Sequence, residues 1–375
     1  MNNSNHVKQL NISAVLQCIR REGPISKGNI AGRLGISAVT AHKLVEELCQ
    51  AGICCESGDY ISYGGKKAAL YTLNKAHGLI LGLSVTRKGI FARASDLFLK
   101  TVRTESVETE LSDTEGAVAA LLVLAGRMIR ESDRKILAIG LSVPGSIAPS
   151  GDQPDLPGLP QWSSLALGQM LGAEFDLPVF ADNDVNALAL SVKWLGDGAS
   201  YRDFCCVQID NGVGVGAMVG GELLQGASYH GGEFGHVTLD PNGKQCSCGR
   251  RGCLQTYLDE SAIFAEFGLS PAEGLKRLAA GDASLTAAFD SYLCYLRLTV
   301  DNVLRVFDPE AVYLASPVAA AIPDYRARLQ TPYFEIAAFG KRRPPVTLLT
   351  EPQFFEAAAS AIAFDRLIHD PTQLL

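Results

Sequence analysis

Three segments near the start of the chain carry apolar residues at helical spacing. The first presents one apolar face made of Ile12, Val15, Leu16 and Ile19, and it stops at a Gly-Pro pair. The second begins at Ser26, a residue type that caps helices well, and it ends in a turn just before Ser37. The third begins at Ser37 and carries the apolar stripe Ala41, Leu44, Val45 and Leu48. The pattern therefore predicts three short helices.

The second and third helices are joined by a short turn, which is the helix-turn-helix arrangement. In that arrangement the N-terminal half of the later helix reaches base edges in the major groove of DNA. Two β-rich runs around a glycine and lysine loop follow, as in a winged helix-turn-helix, and Glu46 and Glu47 lie a turn beyond the reading positions. The predicted DNA contacts are Ser37, Ala38, Thr40, His42 and Lys43 on the helix, with Lys66 and Lys67 at the wing.

From His77 onward, β-rich runs alternate with longer helical patterns. Runs such as ILAIGLSV and DFCCVQI suit buried strands, and SYLCYLRLTVDNVLRVF suits a long amphipathic helix. Such alternation predicts an α/β body, and a length of about 300 residues favours two lobes. Ligands of α/β folds bind at strand ends, where this chain has the small and polar clusters VPGS, DNDVN and DNGVGVG.

Charge is distributed unevenly between the head, residues 1–75, and the rest of the chain. The chain carries a formal net charge of −7, whereas the head contains nine Lys or Arg and five Asp or Glu. A basic head on an acidic body points to a polyanion as the partner of the head. A three-helix module that docks another protein is the alternative, and the wing together with the local basicity favours DNA.

Composition is that of a globular chain, with 47% hydrophobic residues and ten cysteines. Apolar runs are shorter than the roughly 18 residues that a membrane span requires. The first residues, MNNSNHVKQLN, lack the order of a secretory signal. We therefore expect a cytoplasmic protein without a membrane partner, whose cysteines are reduced or bind metal.

The segment HVTLDPNGKQCSCGRRGC, residues 236–253, combines one histidine with three cysteines. Gly249 and Gly252 allow the loop to fold back sharply, so that four side chains can reach one ion. Three thiolates and one imidazole form a closed tetrahedral donor set, which favours a structural Zn²⁺ ion. The predicted ligands are His236, Cys246, Cys248 and Cys253. A reduced cysteine cluster without metal is the alternative.

Taken together, GGEFGH, CSCGRRGC, VFADNDVNALAL and VPGSI resemble the ROK family of sugar kinases and sugar-responsive repressors. The resemblance covers nearly the whole chain, because ROK repressors also carry an N-terminal winged helix-turn-helix. It implies an α/β body of the actin-like, two-lobed, ribonuclease H-like type with a sugar cleft between the lobes. The expected domains are the head, 1–75, a first lobe, 76–185, with the C-terminal helix 352–370, and a second lobe, 186–351, with the zinc loop and the dimer interface.

The resemblance also implies sugar contacts for five residues. Asn183 and Asp184 match the family's sugar-binding pair, and in the kinases that aspartate is the general base; an N-cap role for Asp184 is the alternative. Glu233 matches a sugar-binding glutamate, unless it only forms a local cap or ion pair. His236 would give one ring nitrogen to zinc and the other to a sugar hydroxyl. Gln255 replaces an acid of the family and keeps the ability to hydrogen-bond a hydroxyl.

Three stretches depart from the kinase pattern on the nucleotide side. LSVTRKG replaces the Asp-x-Gly-Gly-Thr phosphate motif, with Ser84 at the aspartate position. The second phosphate loop contains Asp210, and the glycine pair near the adenine is replaced by YLASP. Phosphoryl transfer depends on positioning and neutralising the triphosphate, so we expect no kinase activity. The chain is predicted to be a repressor that binds a double-stranded DNA operator under the control of a sugar, as a homodimer or homotetramer; an ATP-dependent ROK sugar kinase is the alternative.

Overall fold

The computed structural model describes residues 3–63, 66–156, 158–210, 212–322 and 344–374. By contacts the chain divides into two compact units. The first comprises Met1–Asp184 together with Glu356–Leu375, and the second comprises Val185–Phe355. The head therefore belongs to the same unit as the first sheet of the body.

The head is a winged helix-turn-helix, as predicted. Its elements in chain order are α1 (Asn3–Glu22), β1 (Ile25–Ser26), α2 (Lys27–Leu34), α3 (Ala38–Gln50), β2 (Cys54–Tyr63) and β3 (Lys66–Leu73). The three strands form one antiparallel sheet in the order β1-β3-β2. Both predicted apolar stripes, the one on α1 and the one on α3, are buried.

Capping residues set the ends of α2 and α3. The Ser26 hydroxyl accepts the backbone N–H of Asn29 at the start of α2, and Gly35 ends that helix with a left-handed φ of 63°. The Ser37 hydroxyl accepts the backbone N–H of Thr40 at the start of α3. The turn between the two helices is therefore only three residues long, 35–37, which is the length that a helix-turn-helix requires.

A five-stranded sheet in the order β6-β5-β4-β7-β8 forms the body part of the first unit. Its strands are β4 (Leu79–Thr86), β5 (Gly89–Ser95), β6 (Thr101–Val107), β7 (Ile136–Val143) and β8 (Val179–Asn183). β4, β7 and β8 are parallel, and β5 and β6 run antiparallel to their neighbours. Side chains of α4 (Thr114–Arg130) and α5 (Leu167–Phe175) share a core with this sheet.

The C-terminal helix, Pro352–His369, approaches this sheet at two glycines. A Cβ atom on Gly82 would lie 2.5 Å from the Ser360 hydroxyl, and one on Gly140 would lie 1.9 Å from the Ala359 carbonyl oxygen. Only glycine permits this separation, because real Cβ atoms do not come that close to backbone. The return of the final helix to the first sheet therefore depends on β4 and β7 having no side chain at those positions.

The second unit also contains a five-stranded sheet, in the order β11-β10-β9-β12-β13. Its strands are β9 (Phe204–Ile209), β10 (Val213–Val219), β11 (Glu222–Leu223), β12 (Ala311–Ala315) and β13 (Val346–Leu348). β9 to β11 form an antiparallel meander, and β12 runs parallel to both of its neighbours. Among the described residues of this unit, the α-helices are α6 (Asp184–Leu195), α7 (Glu260–Glu266), α8 (Pro271–Ala279), α9 (Ala283–Ala288), α10 (Asp290–Phe307) and α11 (Pro317–Ala321).

The core of this unit joins its sheet to α10. Leu296, Val300 and Val303 of that helix share a buried cluster with Val207 of β9 and Val312 of β12. The predicted long helix is thus confirmed, whereas α7, α8 and α9 have no counterpart in the sequence analysis. Helices of six to nine residues contain too few turns for a 3.6-residue period to be evident. Within the described ranges no helix is long and apolar enough to cross a membrane.

Candidate functional site

The outward face of α3 carries most of the predicted DNA contacts. His42 and Lys43 are exposed on its second turn, and Ala38 is exposed at its first position. Val39 lies three and four positions before His42 and Lys43, so it shares their face, and its side chain is 80% exposed. Val39 is not among the DNA contacts predicted from the sequence, although its spacing to His42 and Lys43 places it on their face.

Polar groups around this face are bonded within the head. The Ser37 hydroxyl lies 2.8 Å from the Thr40 hydroxyl and accepts the Thr40 N–H at 3.0 Å. Lys27 Nζ lies 3.3 Å from His42 Nδ1, where it can donate. Three side chains that were predicted to contact DNA, those of Ser37, Thr40 and His42, thus also have hydrogen-bond partners within the head.

The acidic pair that follows on α3 is matched by lysines from the neighbouring helices. Glu46 pairs with Lys27 of α2, and Glu47 pairs with Lys8 of α1 at 2.7 Å. Lys27 Nζ also lies 4.7 Å from the ring centroid of Tyr71 on β3. These ion pairs offset the negative charges of Glu46 and Glu47, which would otherwise repel a phosphate backbone.

The wing places its two predicted lysines at the start of β3. Lys67 pairs with Ser62 of β2 and is exposed. Lys66 pairs with Tyr63 in the ladder, but its side chain lies outside the described residues. The wing is therefore present with one described lysine available at its surface.

The four predicted metal ligands lie together in the second unit. Their donor atoms, one each from His236, Cys246, Cys248 and Cys253, all lie within 4.8 Å of one another. His236 Nδ1 is 3.6 Å from Cys246 Sγ, and Cys248 Sγ is 3.6 Å from Cys253 Sγ. Zinc with Zn–S bonds of about 2.3 Å in a tetrahedron would place two sulfurs about 3.8 Å apart. Donor types and spacing both fit a closed tetrahedral metal site.

Glycines bring these ligands together over a short stretch of chain. Gly249 and Gly252 have φ values of 88° and 68°, in the left-handed region. A Cβ atom on Gly252 would lie 1.5 Å from the Asp240 carbonyl oxygen, so the loop closes against its own beginning. The Cys246 N–H donates to the Arg250 carbonyl at 2.8 Å across the turn. The sharp fold predicted for this loop is present.

The thiols of the cluster differ in their acidity. A hydrogen bond from the backbone N–H of Arg250 lowers the pKa of Cys248 to about 6. Burial raises the pKa of Cys253 to about 12. A cation would favour the thiolate form of both side chains, because its positive charge attracts the sulfur anions and, at Cys253, offsets the cost of burial.

His236 turns its two ring nitrogens toward different groups. Nδ1 faces Cys246, while Nε2 lies 3.9 Å from a Glu233 carboxylate oxygen. Glu233 immediately precedes the short helical turn Phe234–His236. The two ring nitrogens therefore face different groups, Cys246 of the cysteine cluster and the Glu233 carboxylate.

The Gln255 amide has a contact that the sequence analysis did not foresee. It belongs to the turn Leu254–Tyr257, directly after Cys253, and its Nε2 donates to Cys246 Sγ at 3.4 Å. Gln255 thus supports a candidate metal ligand by an N–H···S hydrogen bond. The replacement of an acid by an amide provides a donor that a carboxylate lacks.

Asn183 and Asp184 lie where β8 ends and α6 begins. Asn183 is buried, and its backbone N–H donates to the Asp182 carboxylate at 2.9 Å. Asp184 is the first residue of α6, where a negative charge interacts favourably with the helix dipole. Both residues are therefore at a strand end, the position at which α/β folds bind ligands.

The segment aligned with the kinase phosphate motif is a tight hairpin between β4 and β5. Only Arg87 and Lys88 join the two strands, and Thr86 pairs with Gly89. The Thr86 hydroxyl donates to the Gly89 carbonyl at 3.0 Å and accepts the Lys88 N–H at 3.2 Å. The hydroxyl at this motif therefore stabilises its own turn.

A buried carboxyl group lies beside the end of β12, a feature for which the sequence contained no local signal. The Tyr292 hydroxyl donates to Glu260 at 2.5 Å and lies 2.9 Å from the Ser316 hydroxyl. Ser316 follows β12 and caps α11. Burial raises the pKa of Glu260 to about 7.

Comparison with known protein families identifies two regions. A model described as the ROK family matches residues 81–361. A model described as a winged helix-turn-helix DNA-binding domain matches residues 11–53. The second region contains α2 and α3 and ends before the wing.

Similar proteins include two with repressor names. The xylose repressor of Bacillus subtilis (strain 168) is 27% identical over 325 residues, which cover 84% of each chain. The putative xylose repressor of Caldicellulosiruptor sp. (strain Rt8B.4) is 30% identical over 269 residues, which cover 71% of this chain and 67% of the relative. The first of these alignments covers slightly more of the chain than the length of the body, residues 76–375.

Solved structures share the fold. A ROK family transcriptional regulator, a homologue of the E. coli MLC protein, has a TM-score of 0.80 at 21% identity and covers 98% of both chains. The ROK hexokinase from Thermus thermophilus has a TM-score of 0.64 at 27% identity and covers 77% of this chain and 99% of its own. The actin-like α/β body and the appended head expected from the sequence are thereby confirmed.

Proposed function

Because this chain belongs to the ROK family, we propose that it is a sugar-responsive, DNA-binding transcriptional repressor. The proposal depends on the combination of a winged helix-turn-helix head and a ROK body in one chain. The alignment with the Bacillus subtilis xylose repressor covers 84% of both chains. Phosphorylation of a sugar does not require a helix such as α3, which exposes His42 and Lys43 to solvent. Recognition of operator DNA requires a helix of this kind.

The proposed DNA contacts lie on α3 and on the wing. They are Ser37, Ala38, Thr40, His42, Lys43, Lys66 and Lys67. Exposure of His42 and Lys43, together with the pairing of Glu46 and Glu47 to lysines, supports the approach of a phosphate backbone. A homodimer or homotetramer would present paired α3 helices to an operator with two-fold symmetry.

The proposed effector is a sugar or sugar derivative. Similar proteins are named for xylose and, in the case of a repressor from Escherichia coli O6:H1, for N-acetylglucosamine. The proposed sugar contacts are Asn183, Asp184, Glu233, His236 and Gln255, all polar side chains that can bond hydroxyl groups. The Nε2 atom of His236, which faces Glu233, supports a role for this pair.

The proposed cofactor is a structural Zn²⁺ ion held by His236, Cys246, Cys248 and Cys253. When bound, zinc supplies a fixed positive charge and no reactive position, because four protein donors complete a tetrahedron. His236 then keeps Nε2 directed toward Glu233, since the opposite nitrogen is anchored. Gln255 holds the Cys246 sulfur through its amide.

An ATP-dependent sugar kinase of the ROK type is the alternative function, supported by the fold shared with the Thermus thermophilus hexokinase. We propose that the chain is not an enzyme. A hairpin closed by Thr86 and Gly89 supports this, because it leaves no run of glycines for close approach to a triphosphate. The exposed carboxylate of Asp210 would also repel phosphate.

The proposal is tested by selecting operator DNA from a random duplex library with the full-length, zinc-loaded protein. Binding is then measured by fluorescence anisotropy with xylose, glucose or N-acetylglucosamine present. We expect one selected sequence class, salt-sensitive binding, and a change in Kd of at least about tenfold with one sugar, a coupling of about 1.4 kcal/mol. Failure to select any sequence would overturn the proposal. Sugar-dependent ADP release from ATP at ordinary enzyme rates would establish the kinase instead.

A further inference from the structure

Val39 is the most exposed of the large apolar side chains in the described part of the chain. It is 80% exposed, compared with 57% for Leu10 and 50% for Val7 on α1 of the same head. Valine also has a lower helix propensity than alanine, because its β-branch is stiff against the preceding turn. Neither packing within the head nor the stability of α3 accounts for a valine at this position.

The position of Val39 is that of a base-reading residue. It is the second residue of α3, in the first turn after the Ser37 cap, and it shares the outward face with His42 and Lys43. Side chains in the N-terminal half of a recognition helix are the ones that reach base edges in the major groove. The side chain of Val39 therefore points into the surface that the proposed operator would occupy.

Nearby hydrogen-bonding groups are already engaged. Ser37 and Thr40 bond each other at the helix cap, and His42 contacts Lys27. Val39, by contrast, presents two methyl groups with no polar function. Val39 therefore adds an apolar contact to the polar contacts proposed for the start of α3, with Lys43 one turn away for a phosphate.

Only one base carries an apolar group on its major-groove edge. Thymine has a C5-methyl group there, while the other three bases present donors and acceptors. We propose that Val39 contacts a thymine methyl group and thereby specifies one A·T pair in each operator half-site. This inference rests on the proposed DNA-binding function, and it adds the identity of a base to it.

The experiment uses the operator selected by the full-length protein and replaces its thymines one at a time by uracil. This change removes the methyl group and keeps every Watson-Crick atom. Loss of one buried methyl costs about 0.8 kcal/mol, which is about a fourfold increase in Kd. For the wild type we expect that increase at one thymine in each half-site.

Variants assign the effect to the side chain. Val39→Ala should bind the thymine operator about fifteenfold more weakly, because the contact is lost in both half-sites, and should no longer distinguish thymine from uracil at that position. Val39→Thr, which keeps one methyl group, should retain part of the discrimination. Val7→Ala, an exposed valine on α1 of the same head, is the matched control and should behave as the wild type. Circular dichroism of each variant verifies the helices.

The outcomes separate the two proposals. If no operator is selected, the DNA-binding function fails and Val39 has no base to read. If an operator is selected but no uracil substitution weakens binding, the inference about Val39 is wrong while the repressor function stands. The inference is also wrong if Val39→Ala keeps the full thymine preference, because the methyl group is then read by another residue.

Discussion

The guanidinium group of Arg20 lies over the ring of Phe364, with 5.6 Å between Cζ and the ring centroid. Arg20 belongs to α1 of the head, and Phe364 belongs to the C-terminal helix. The same guanidinium lies 5.4 Å from the ring of Phe98 and donates to the Phe98 carbonyl at 3.4 Å. One side chain thus attaches the DNA-binding head to the body of the first unit.

Replacement of Arg20 by alanine should therefore weaken the whole first unit. Two cation–π contacts and the packing of the aliphatic stem are lost, which together cost about 2 kcal/mol. The measurement is urea denaturation followed by circular dichroism. Arg21→Ala, at the exposed neighbouring position, should cost less than about 0.5 kcal/mol. Equal effects of the two changes would contradict the attachment by Arg20.

Gly140→Ala should prevent the C-terminal helix from packing on β7. The new Cβ atom would lie 1.9 Å from the Ala359 carbonyl oxygen, and the helix would have to move. We expect a loss of more than about 3 kcal/mol in the free energy of unfolding. Gly32→Ala, where a Cβ meets nothing within 4 Å inside α2, should instead raise stability by about 0.5–1 kcal/mol. The melting temperatures of Gly140→Ala and Gly32→Ala, each compared with that of the wild type, test both expectations.

Cys248→Ser should remove one metal ligand and with it the bound zinc. We expect metal content, measured by inductively coupled plasma mass spectrometry, to fall from one zinc per chain to nearly none, and the sugar response of DNA binding to fall with it. Cys294→Ser changes an exposed cysteine on α10, outside the cluster, and should keep zinc. Loss of zinc with a full sugar response would refute the link between the metal and ligand binding.

Glu260→Gln should stabilise the protein at alkaline pH. Burial raises the pKa of Glu260 from 4.5 to about 7, so the folded state holds its proton over a range in which the unfolded state releases it. Stability therefore falls as pH rises from about 4.5 to about 7, and the full cost is present above pH 7. We expect the variant to be more stable than the wild type by about 3 kcal/mol at pH 8, because each pKa unit corresponds to about 1.4 kcal/mol.

At pH 4, where Glu260 is protonated in both states, the two proteins should be equally stable within about 0.5 kcal/mol. Glu266→Gln, at the exposed end of α7, controls for the change in net charge and should show no such pH dependence. Chemical denaturation across this pH range provides the comparison. A stability difference that is the same at pH 4 and pH 8 would show that Glu260 does not titrate as described.

Lys43→Ala should weaken binding to all DNA sequences to a similar degree. Lys43 is exposed beside the base-reading positions, where an ammonium group neutralises one phosphate. The slope of log K against log salt should become smaller in magnitude by about 0.9 for each protomer bound to the operator. Anisotropy titrations at four salt concentrations measure the slope. Lys88→Ala, in the β4–β5 hairpin, should leave it unchanged.

Local chemistry made the head and the metal loop predictable from the sequence. The caps Ser26, Gly35 and Ser37 lie within one turn of the helices that they delimit, so their residue types are direct evidence of helix ends. The four metal ligands lie within residues 236–253, and glycines determine the fold of that segment. The α/β class was predicted from β-rich runs that alternate with longer helical patterns. The family was predicted from motifs that each occupy a short segment.

Contacts between distant segments were beyond sequence reasoning. Glu260, Tyr292 and Ser316 come from α7, α10 and the end of β12, and none has a neighbour in the chain that signals the cluster. Gln255 stays a predicted sugar contact, and its amide also donates to Cys246, a contact that no residue beside it in the chain indicates. Side-chain partners of this kind depend on packing, which a single sequence does not display.

The sequence by itself determined the three helices of the head, the long helix α10 and the metal loop, because helix period, caps and ligand spacing act over a few residues. Tertiary structure decided which side chains are free to act. In the packed fold, His42 contacts Lys27 and the Arg20 guanidinium lies over the Phe364 ring. Val39 remains exposed on α3. These choices depend on elements far apart in the chain coming into contact, and only the packed fold brings them together.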